Sequence, residues 1–184
     1  MSLHAEAAAT LRAWHAPDAG QERLRAAYVD HLAAHPDGEQ RACFPAHLTA
    51  GALVLSHDGD HVLLNLHRKA RRWFHFGGHL ETGDASLRDA GRREAVEESG
   101  LPDLVVDPDP VHLSRHRVDF CDPRGPVDHL DVRFLARAAA GVEPVVSDES
   151  LDVRWWPVAA LPTEEQDMVE LIGLARQRVG VPGS

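Results

Sequence analysis

The chain has little cysteine, few aromatic residues and no long hydrophobic run. Its 184 residues include two cysteines, Cys43 and Cys121, and only 5% are aromatic. The two cysteines lie far apart in the sequence and lack metal-ligand spacing, which predicts free, partly buried thiols. No apolar run reaches the ~18 residues of a membrane-spanning helix, and the N-terminus lacks a basic segment followed by a hydrophobic one. We therefore expect a cytoplasmic protein without a membrane partner.

The chain also lacks an excess of basic residues. The formal net charge is −10 and the isoelectric point is about 5.6. Such a charge argues against duplex DNA or an anionic membrane surface as the main partner. A nucleotide remains compatible with it, because a bound cation can reverse the local charge. The thirteen histidines are scattered and form no HExxH pair, so the sequence favours no zinc site.

The first 40 residues differ in composition from the rest. Residues 6–14 and 21–35 have helix-forming composition with apolar positions three and four apart, interrupted at Pro17 and Pro36. We interpret residues 1–40 as an N-terminal helical appendage and residues 41–184 as the main domain. The appendage is a candidate lid or homodimer contact, and the sequence does not choose between them.

The main domain mixes strands with helices. Alternating or continuous apolar runs between turn-forming residues predict strands, and longer periodic segments predict helices. The predicted strands cover 47–55, 61–67, 73–76, 111–120, 129–136 and 152–156, and the predicted helices cover 86–99 and 163–179. Ser86 is the expected N-cap and Gly100 the expected C-terminal glycine of the first of these helices. This order predicts an α/β or α+β fold.

Three glutamates are clustered on the helix predicted over residues 86–99. Glu94 and Glu98 are one turn apart and Glu97 lies beside them. Like charges at this spacing lower the stability of a helix by a few tenths of a kcal/mol per pair. Such a cluster is often a solvated helix face. Here, however, Glu94 and Glu98 continue the apolar stripe that begins at Leu87, and buried carboxylates are costly unless paired or metal-bound. A divalent cation such as Mg²⁺ would offset the repulsion.

The segment 77–101 resembles the signature of the Nudix hydrolases. That signature is a Gly, five residues, a Glu, seven residues, and then Arg-Glu-aliphatic-x-Glu-Glu-x-Gly-aliphatic. Three departures occur: Asp84 replaces the first Glu, Ala95 is a small version of the aliphatic position, and one extra residue precedes Arg93. The matching residues are Gly78, Arg93, Glu94, Glu97, Glu98, Gly100 and Leu101, and Glu81 and Gly83 suit the common form of the loop.

The resemblance implies an α/β/α sandwich with a mixed sheet and a metal-dependent hydrolase. Its substrate would be a nucleoside diphosphate linked to another group, and its cofactor Mg²⁺ or Mn²⁺. The implied metal ligands are Glu94, Glu97 and Glu98 with the carbonyl oxygen of Gly78. Arg93 would tie the helix to the glycine loop through Glu81 or Asp84, although the extra residue leaves the Asp84 contact open. The general base would be a glutamate outside the signature, for which Glu149 is our candidate.

Substrate-binding candidates surround the start of the glycine loop. Residues 67–72 carry four cations just before Trp73. They could hold phosphates, and a solvated turn between strands is an equal alternative. We select Arg68, Arg72, Trp73 and the backbone of Gly77 as candidates.

Two other functions fit a Nudix-like chain. A regulatory module would bind a nucleotide or nucleotide sugar without cleaving it, and loss of a central carboxylate would favour it. Glu94, Glu97 and Glu98 are all retained. A prenyl diphosphate isomerase would need a catalytic cysteine near the pocket, and neither Cys43 nor Cys121 lies in a recognisable context for one. Hydrolysis of a diphosphate linkage is therefore the predicted activity.

Overall fold

The computed structural model describes residues 1–147 and 150–180, which form four helices and eight strands. The helices are α1 (Leu3–Ala13), α2 (Ala19–Ala34), α3 (Leu87–Ser99) and α4 (Gln166–Arg178). The strands are β1 (Ala46–Leu55), β2 (His61–His67), β3 (Trp73–Phe74), β4 (Phe76–His79), β5 (Val105–Val106), β6 (His112–Asp122), β7 (Gly125–Arg137) and β8 (Ser150–Pro157). In the described part of the chain, no helix combines the length and apolar character needed to cross a membrane.

The sheet is mixed and is built around β1. This strand runs parallel to β7 over its whole length and antiparallel to β2 and β4. Strands β3 and β8 extend the sheet beyond β2, and β5 and β6 pair with β7. Nine of the ten β1 residues are buried, since helices cover both faces of the strand. The side chains of β1 therefore divide between two cores.

One core lies on each face of β1. Leu48, Ala50, Ala52 and Val54 join the larger cluster, which also contains apolar residues of α1, α2 and α3. Leu53 and Leu55 join the smaller cluster with apolar residues of α4. This alternation follows from the two-residue period of a strand. The predicted α/β/α sandwich with a mixed sheet is confirmed.

The two N-terminal helices share the larger core. The Tyr28 hydroxyl donates to the carbonyl oxygen of Ser114 at 2.7 Å, and the Gln21 side chain exchanges two hydrogen bonds with the backbone of Leu113. A carboxylate oxygen of Glu6 also accepts from the backbone N–H of Leu87 at 3.0 Å. Division of the chain at residue 40 stays a prediction, and these contacts show that both parts are packed together.

Most element boundaries agree with the sequence predictions to within a few residues. The segment predicted as one strand over 73–76 is divided between β3 and β4, because His75 turns inward and its Nε2 lies 3.2 Å from Asp131. The predicted strands 111–120 and 129–136 form an antiparallel hairpin, β6 and β7, and both extend toward the turn so that Asp122 pairs with Gly125. Strand β5 was not predicted, since two residues are too few to show a period.

A buried charge network lies between the sheet and α4. Arg133 donates to Asp131 at 2.7 Å and to Asp167 at 2.6 Å. Burial alone would raise the pKa of Asp131, but the charge of Arg133 and the hydrogen bond from His75 bring it well below its usual value. His112 lies 3.3 Å from an Arg133 nitrogen, and burial followed by the charge of Arg133 lowers the pKa of His112 to about 4.

His112 should make the fold sensitive to acid. Its folded pKa lies below the unfolded value of about 6.5, so its contribution is complete above pH 6.5 and is lost as the pH falls toward 4. At about 1.4 kcal/mol per pKa unit, the loss is on the order of 3 kcal/mol. We expect His112→Gln to unfold with a weaker pH dependence across this window, measured by denaturant titration at several pH values. An unchanged dependence in His112→Gln, equal to that of the exposed-site control His57→Gln, would contradict this assignment.

Candidate active site

Helix α3 has the boundaries that its capping residues dictate. The Ser86 hydroxyl accepts from the backbone N–H of Asp89 at 3.0 Å and donates to its carboxylate at 2.8 Å. Gly100 ends the helix with a left-handed φ of 71°. The helix packs closely on β1, because a Cβ at Gly91 would lie 2.9 Å from the carbonyl oxygen of Gly51. These features fix α3 against the centre of the sheet.

Two of the three glutamates of α3, Glu94 and Glu98, face the glycines of strand β4. Glu98 is only 7% exposed, and its Oε2 accepts from the backbone N–H of Gly77 at 3.1 Å. The Glu94 carboxylate occupies the space beside Gly78, where an added Cβ would come within 2.6–2.7 Å of its atoms. The Glu97 side chain is 61% exposed. The structure thus brings together three carboxylates, one buried, one half-buried and one open to solvent, close to Gly77 and Gly78, the two residues of β4 that lack side chains.

Arg93 connects the helix to the glycine loop. Its Nε and Nη2 donate to the two oxygens of Asp84 at 3.0 and 3.1 Å, so the ion pair is bidentate. Nη2 also donates to the carbonyl oxygen of His79 at 3.0 Å. The extra residue between Asp84 and Arg93 therefore does not prevent the contact that the resemblance implied. Glu81 is farther away, with one carboxylate oxygen 3.8 Å from Nη1 of Arg93.

Arg93 also reaches the glutamate cluster. Its Nη1 donates to Glu94 at 2.9 Å and to Glu97 at 3.3 Å. The hydrogen bonds to Asp84, which outweigh partial burial, together with those to Glu94 raise the pKa of the guanidinium. The cation holds the loop and offsets part of the repulsion among the carboxylates.

Arg93→Lys should weaken catalysis while the fold persists. A lysine keeps the charge but cannot form the bidentate pair with Asp84 and also reach the carbonyl oxygen of His79. Loss of this geometry would let the loop shift relative to α3, and displacements of about 1 Å can cost on the order of 10²-fold in rate. We expect a fall in kcat of about that size, measured alongside thermal unfolding. The exposed Arg117→Lys is the control, and equal activity in both variants would refute the bracing role.

The remaining predicted substrate residues lie in different surroundings. Gly77 lies beside Glu98, and Arg68 donates to the carbonyl oxygen of Ser150 at 3.1 Å. Arg72 forms an ion pair with Glu165 at 2.7 Å, and Trp73 packs edge-on against Trp156. An open cleft of about 390 Å³ is lined by Arg71, Arg72, Trp73, Pro162, Thr163, Glu164 and Glu165. Glu149 lies outside the described residues.

A second cluster of polar side chains escaped the sequence reasoning. His47, His79, Cys121 and His129 offer nitrogen and sulfur atoms that all lie within 4.8 Å of one another. Burial lowers the pKa of His79 to about 4 and that of His129 to about 3, which favours neutral rings. These residues share no sequence motif because four different strands supply them. Pairing of β1 with β7, which places His47 opposite His129, was the signal needed to find the cluster.

A comparison with protein families decides how the chain is classified. A family model described as NUDIX domain matches residues 45–173, more than two thirds of the chain. The chain belongs to the Nudix family. The predicted resemblance is confirmed, and with it the class of Nudix-type pyrophosphohydrolase. No curated protein matches the sequence.

Solved structures share the Nudix fold of this chain at low sequence identity. A Nudix-family hydrolase from Clostridium perfringens is 20% identical with a TM-score of 0.54, covering 72% of this chain and 97% of that one. The Ap4A hydrolase of C. elegans is 18% identical with a TM-score of 0.57 and the same coverage. The NUDIX domain of Shewanella oneidensis NrtR, complexed with ADP ribose, is 23% identical with a TM-score of 0.56, covering 82% and 97%. These likenesses establish the fold.

Proposed function

We propose that this Nudix-type enzyme uses Mg²⁺, or alternatively Mn²⁺, to hydrolyse a diphosphate linkage in a nucleoside diphosphate joined to another group. The observation that carries the proposal is the arrangement of Glu94 and Glu98 against Gly77 and Gly78, held by the Arg93–Asp84 pair. The two carboxylates and the backbone of the two glycines form a site rich in oxygen atoms, which suits a hard cation.

The residues present fit such a cation. Glu94, Glu98 and the carbonyl oxygen of Gly78 would hold it, and Glu97 would share a metal or act through water. The absence of a side chain at Gly78 is needed for this arrangement, since a Cβ would overlap the Glu94 carboxylate. A bound divalent ion supplies polarisation of a phosphoryl oxygen and a lowered pKa for coordinated water.

The protein's own groups would orient the site. The N–H of Gly77 fixes one oxygen of Glu98, and Arg93 fixes one oxygen of Glu94. Preorganised charges of this kind need no rearrangement as charge develops on the phosphates. Glu149 remains our proposed general base.

The proposed substrate class is a nucleoside linked through phosphates to a second group. Two structural neighbours support this substrate class. The C. elegans protein is an Ap4A hydrolase, and the NrtR domain was solved in complex with ADP ribose. Arg68, Arg72 and Trp73 are proposed substrate contacts. Arg72 and Trp73 line the open cleft beside residues 162–165, which offers room for the part of the substrate distant from the metal.

A substrate panel tests the proposal. Dinucleotides, nucleotide sugars, coenzyme A and oxidised nucleoside triphosphates would be incubated with the full chain in Mg²⁺, in Mn²⁺ and in chelator, and the products identified by mass. Metal-dependent release of a nucleoside monophosphate from at least one compound is expected. Tight binding by calorimetry without turnover of any compound would instead favour a module that binds nucleotides without cleaving them.

A further inference from the structure

The cluster of His47, His79, Cys121 and His129, the HHCH cluster, lies at one end of the sheet. His47 on β1 is the register partner of His129 on β7, and His79 ends β4, which pairs with β1 on its other side. Cys121 lies on β6 just before its turn into β7. Nε2 of His79 and Nε2 of His129 each lie 3.3 Å from the Cys121 sulfur. Four neighbouring strands thus direct one donor each toward a common point.

His47 is held in the form that a metal ligand requires. Its Nδ1 lies 3.1 Å from the carbonyl oxygen of Cys43, a contact that only a protonated Nδ1 can make as donor. The lone pair of the ring therefore resides on Nε2. That nitrogen is buried without a hydrogen-bond partner, on a residue with no exposed surface. A backbone carbonyl that orients the far nitrogen of a ligating histidine is the usual arrangement around protein-bound zinc.

We propose that the HHCH cluster is a structural Zn²⁺ site, with three imidazole nitrogens and the Cys121 thiolate as its four ligands. It is separate from the carboxylate site on α3 and independent of the proposed hydrolysis. The donor set is chemically distinct, because thiolate and imidazole suit zinc, whereas Mg²⁺ takes oxygen ligands. A tetrahedral set with four protein ligands is closed, as in sites that stabilise folds.

The distances between the donors of the cluster suit a tetrahedral ion after small rotations of the side chains. Zinc bonds of about 2.3 Å to sulfur and 2.0–2.1 Å to nitrogen put sulfur about 3.6 Å from each nitrogen. The two sulfur–nitrogen distances of 3.3 Å are close to this value. Two nitrogens on the same ion would lie about 3.4 Å apart. Because no two donors are more than 4.8 Å apart, the widest pair would approach by at most about 1.4 Å, which rotation of the side chains can supply.

The position of the HHCH cluster gives zinc a structural task. Its proposed ligands join β1, β4, β6 and β7 at the end of the sheet where β4 leads into the glycine loop. The carbonyl oxygen of His79 already accepts from Arg93. Zinc at the His79 ring would therefore anchor the strand end to which the loop is attached.

Metal analysis of the full chain tests the proposal directly. The protein would be stripped with chelator, equilibrated with ZnCl₂ and dialysed, and its zinc measured by mass spectrometry. One zinc per chain is expected, with a higher unfolding temperature than the stripped protein and no displacement by excess Mg²⁺. Cobalt substitution should give the intense absorption of a tetrahedral ion with a thiolate-to-metal band. A stripped protein that takes up no zinc would overturn the proposal.

Variants identify the ligands. Cys121→Ser should lose the thiolate band and most of the zinc affinity while folding normally, since the side chain is only partly buried. His129→Gln provides a second variant with the sulfur retained. The controls are Cys43→Ser and the exposed His57→Gln. The Cys43 side chain lies outside the HHCH cluster, in a separate group of possible metal ligands with His35 and Asp37. Zinc retained in Cys121→Ser and His129→Gln, or lost in Cys43→Ser instead, would refute the assignment.

Discussion

Glu98→Gln is expected to lower kcat/KM for the metal-dependent hydrolysis by at least about 10²–10³-fold, the range found when one preorganised charge-stabilising group is removed. Glutamine preserves the shape of the side chain, and its amide oxygen can still accept from the N–H of Gly77. The substitution removes the negative charge and replaces one carboxylate oxygen with an NH₂ group. Because Glu98 is 7% exposed, water cannot easily take the place of this proposed ligand.

The measurement separates loss of a ligand from loss of structure. Kinetics would be recorded over a range of Mg²⁺ concentrations together with thermal unfolding. We expect unfolding close to that of the parent protein, or slightly more resistant, since a buried negative charge has been removed. The exposed Glu143→Gln serves as the control for the same chemical change. Parental turnover in Glu98→Gln would eliminate this residue as a ligand.

The signature helix could be predicted because every local signal agreed. Ser86 and Gly100 set its ends, and the stripe that begins at Leu87 set its buried face. Those same signals placed Glu94 and Glu98 toward the sheet, where the structure has them. The central strand was predictable for a similar reason, since a long apolar run can be covered on both faces only inside a sandwich.

The features that the sequence left open or did not indicate depend on contacts between distant segments. The resemblance implied that Arg93 contacts Glu81 or Asp84, but the choice of Asp84 depends on a loop whose path no local rule determines. The HHCH cluster requires the register of β1 against β7 and β4 together with the turn after β6. Similarly, the inward turn of His75 depends on its buried partner Asp131.

The two parts of the site differ in how far the sequence alone predicts them. The carboxylates of α3 lie on one element, so a helical period brings them together. The backbone that they face belongs to β4, and the fit between the two elements depends on the absence of a side chain at Gly78. A substitution at Gly78 should therefore test how α3 fits against β4 without changing the backbone of either element.

Gly78→Ala is expected to reduce kcat/KM by about 10²-fold or more while leaving the fold intact. The new Cβ would come within 2.6–2.7 Å of the Glu94 carboxylate, which is closer than real Cβ contacts allow. The atoms in conflict are the far end of a flexible side chain, so Glu94 should swing away rather than the strand distort. Displacement of one proposed ligand by about 1 Å can cost this much in rate.

Gly83→Ala is the matched control for this experiment. Gly83 lies in the loop that follows β4, and a Cβ there would meet no atom within 4 Å. Both variants would be compared by kinetics, by Mg²⁺ titration and by thermal unfolding. We expect Gly78→Ala to need a higher Mg²⁺ concentration for activity than Gly83→Ala, because the new Cβ displaces Glu94, a proposed metal ligand. Equal Mg²⁺ requirements and equal turnover in the two variants would mean that the position of Glu94 does not depend on the missing side chain at Gly78. The proposed arrangement of Glu94 beside Gly78 would then be wrong.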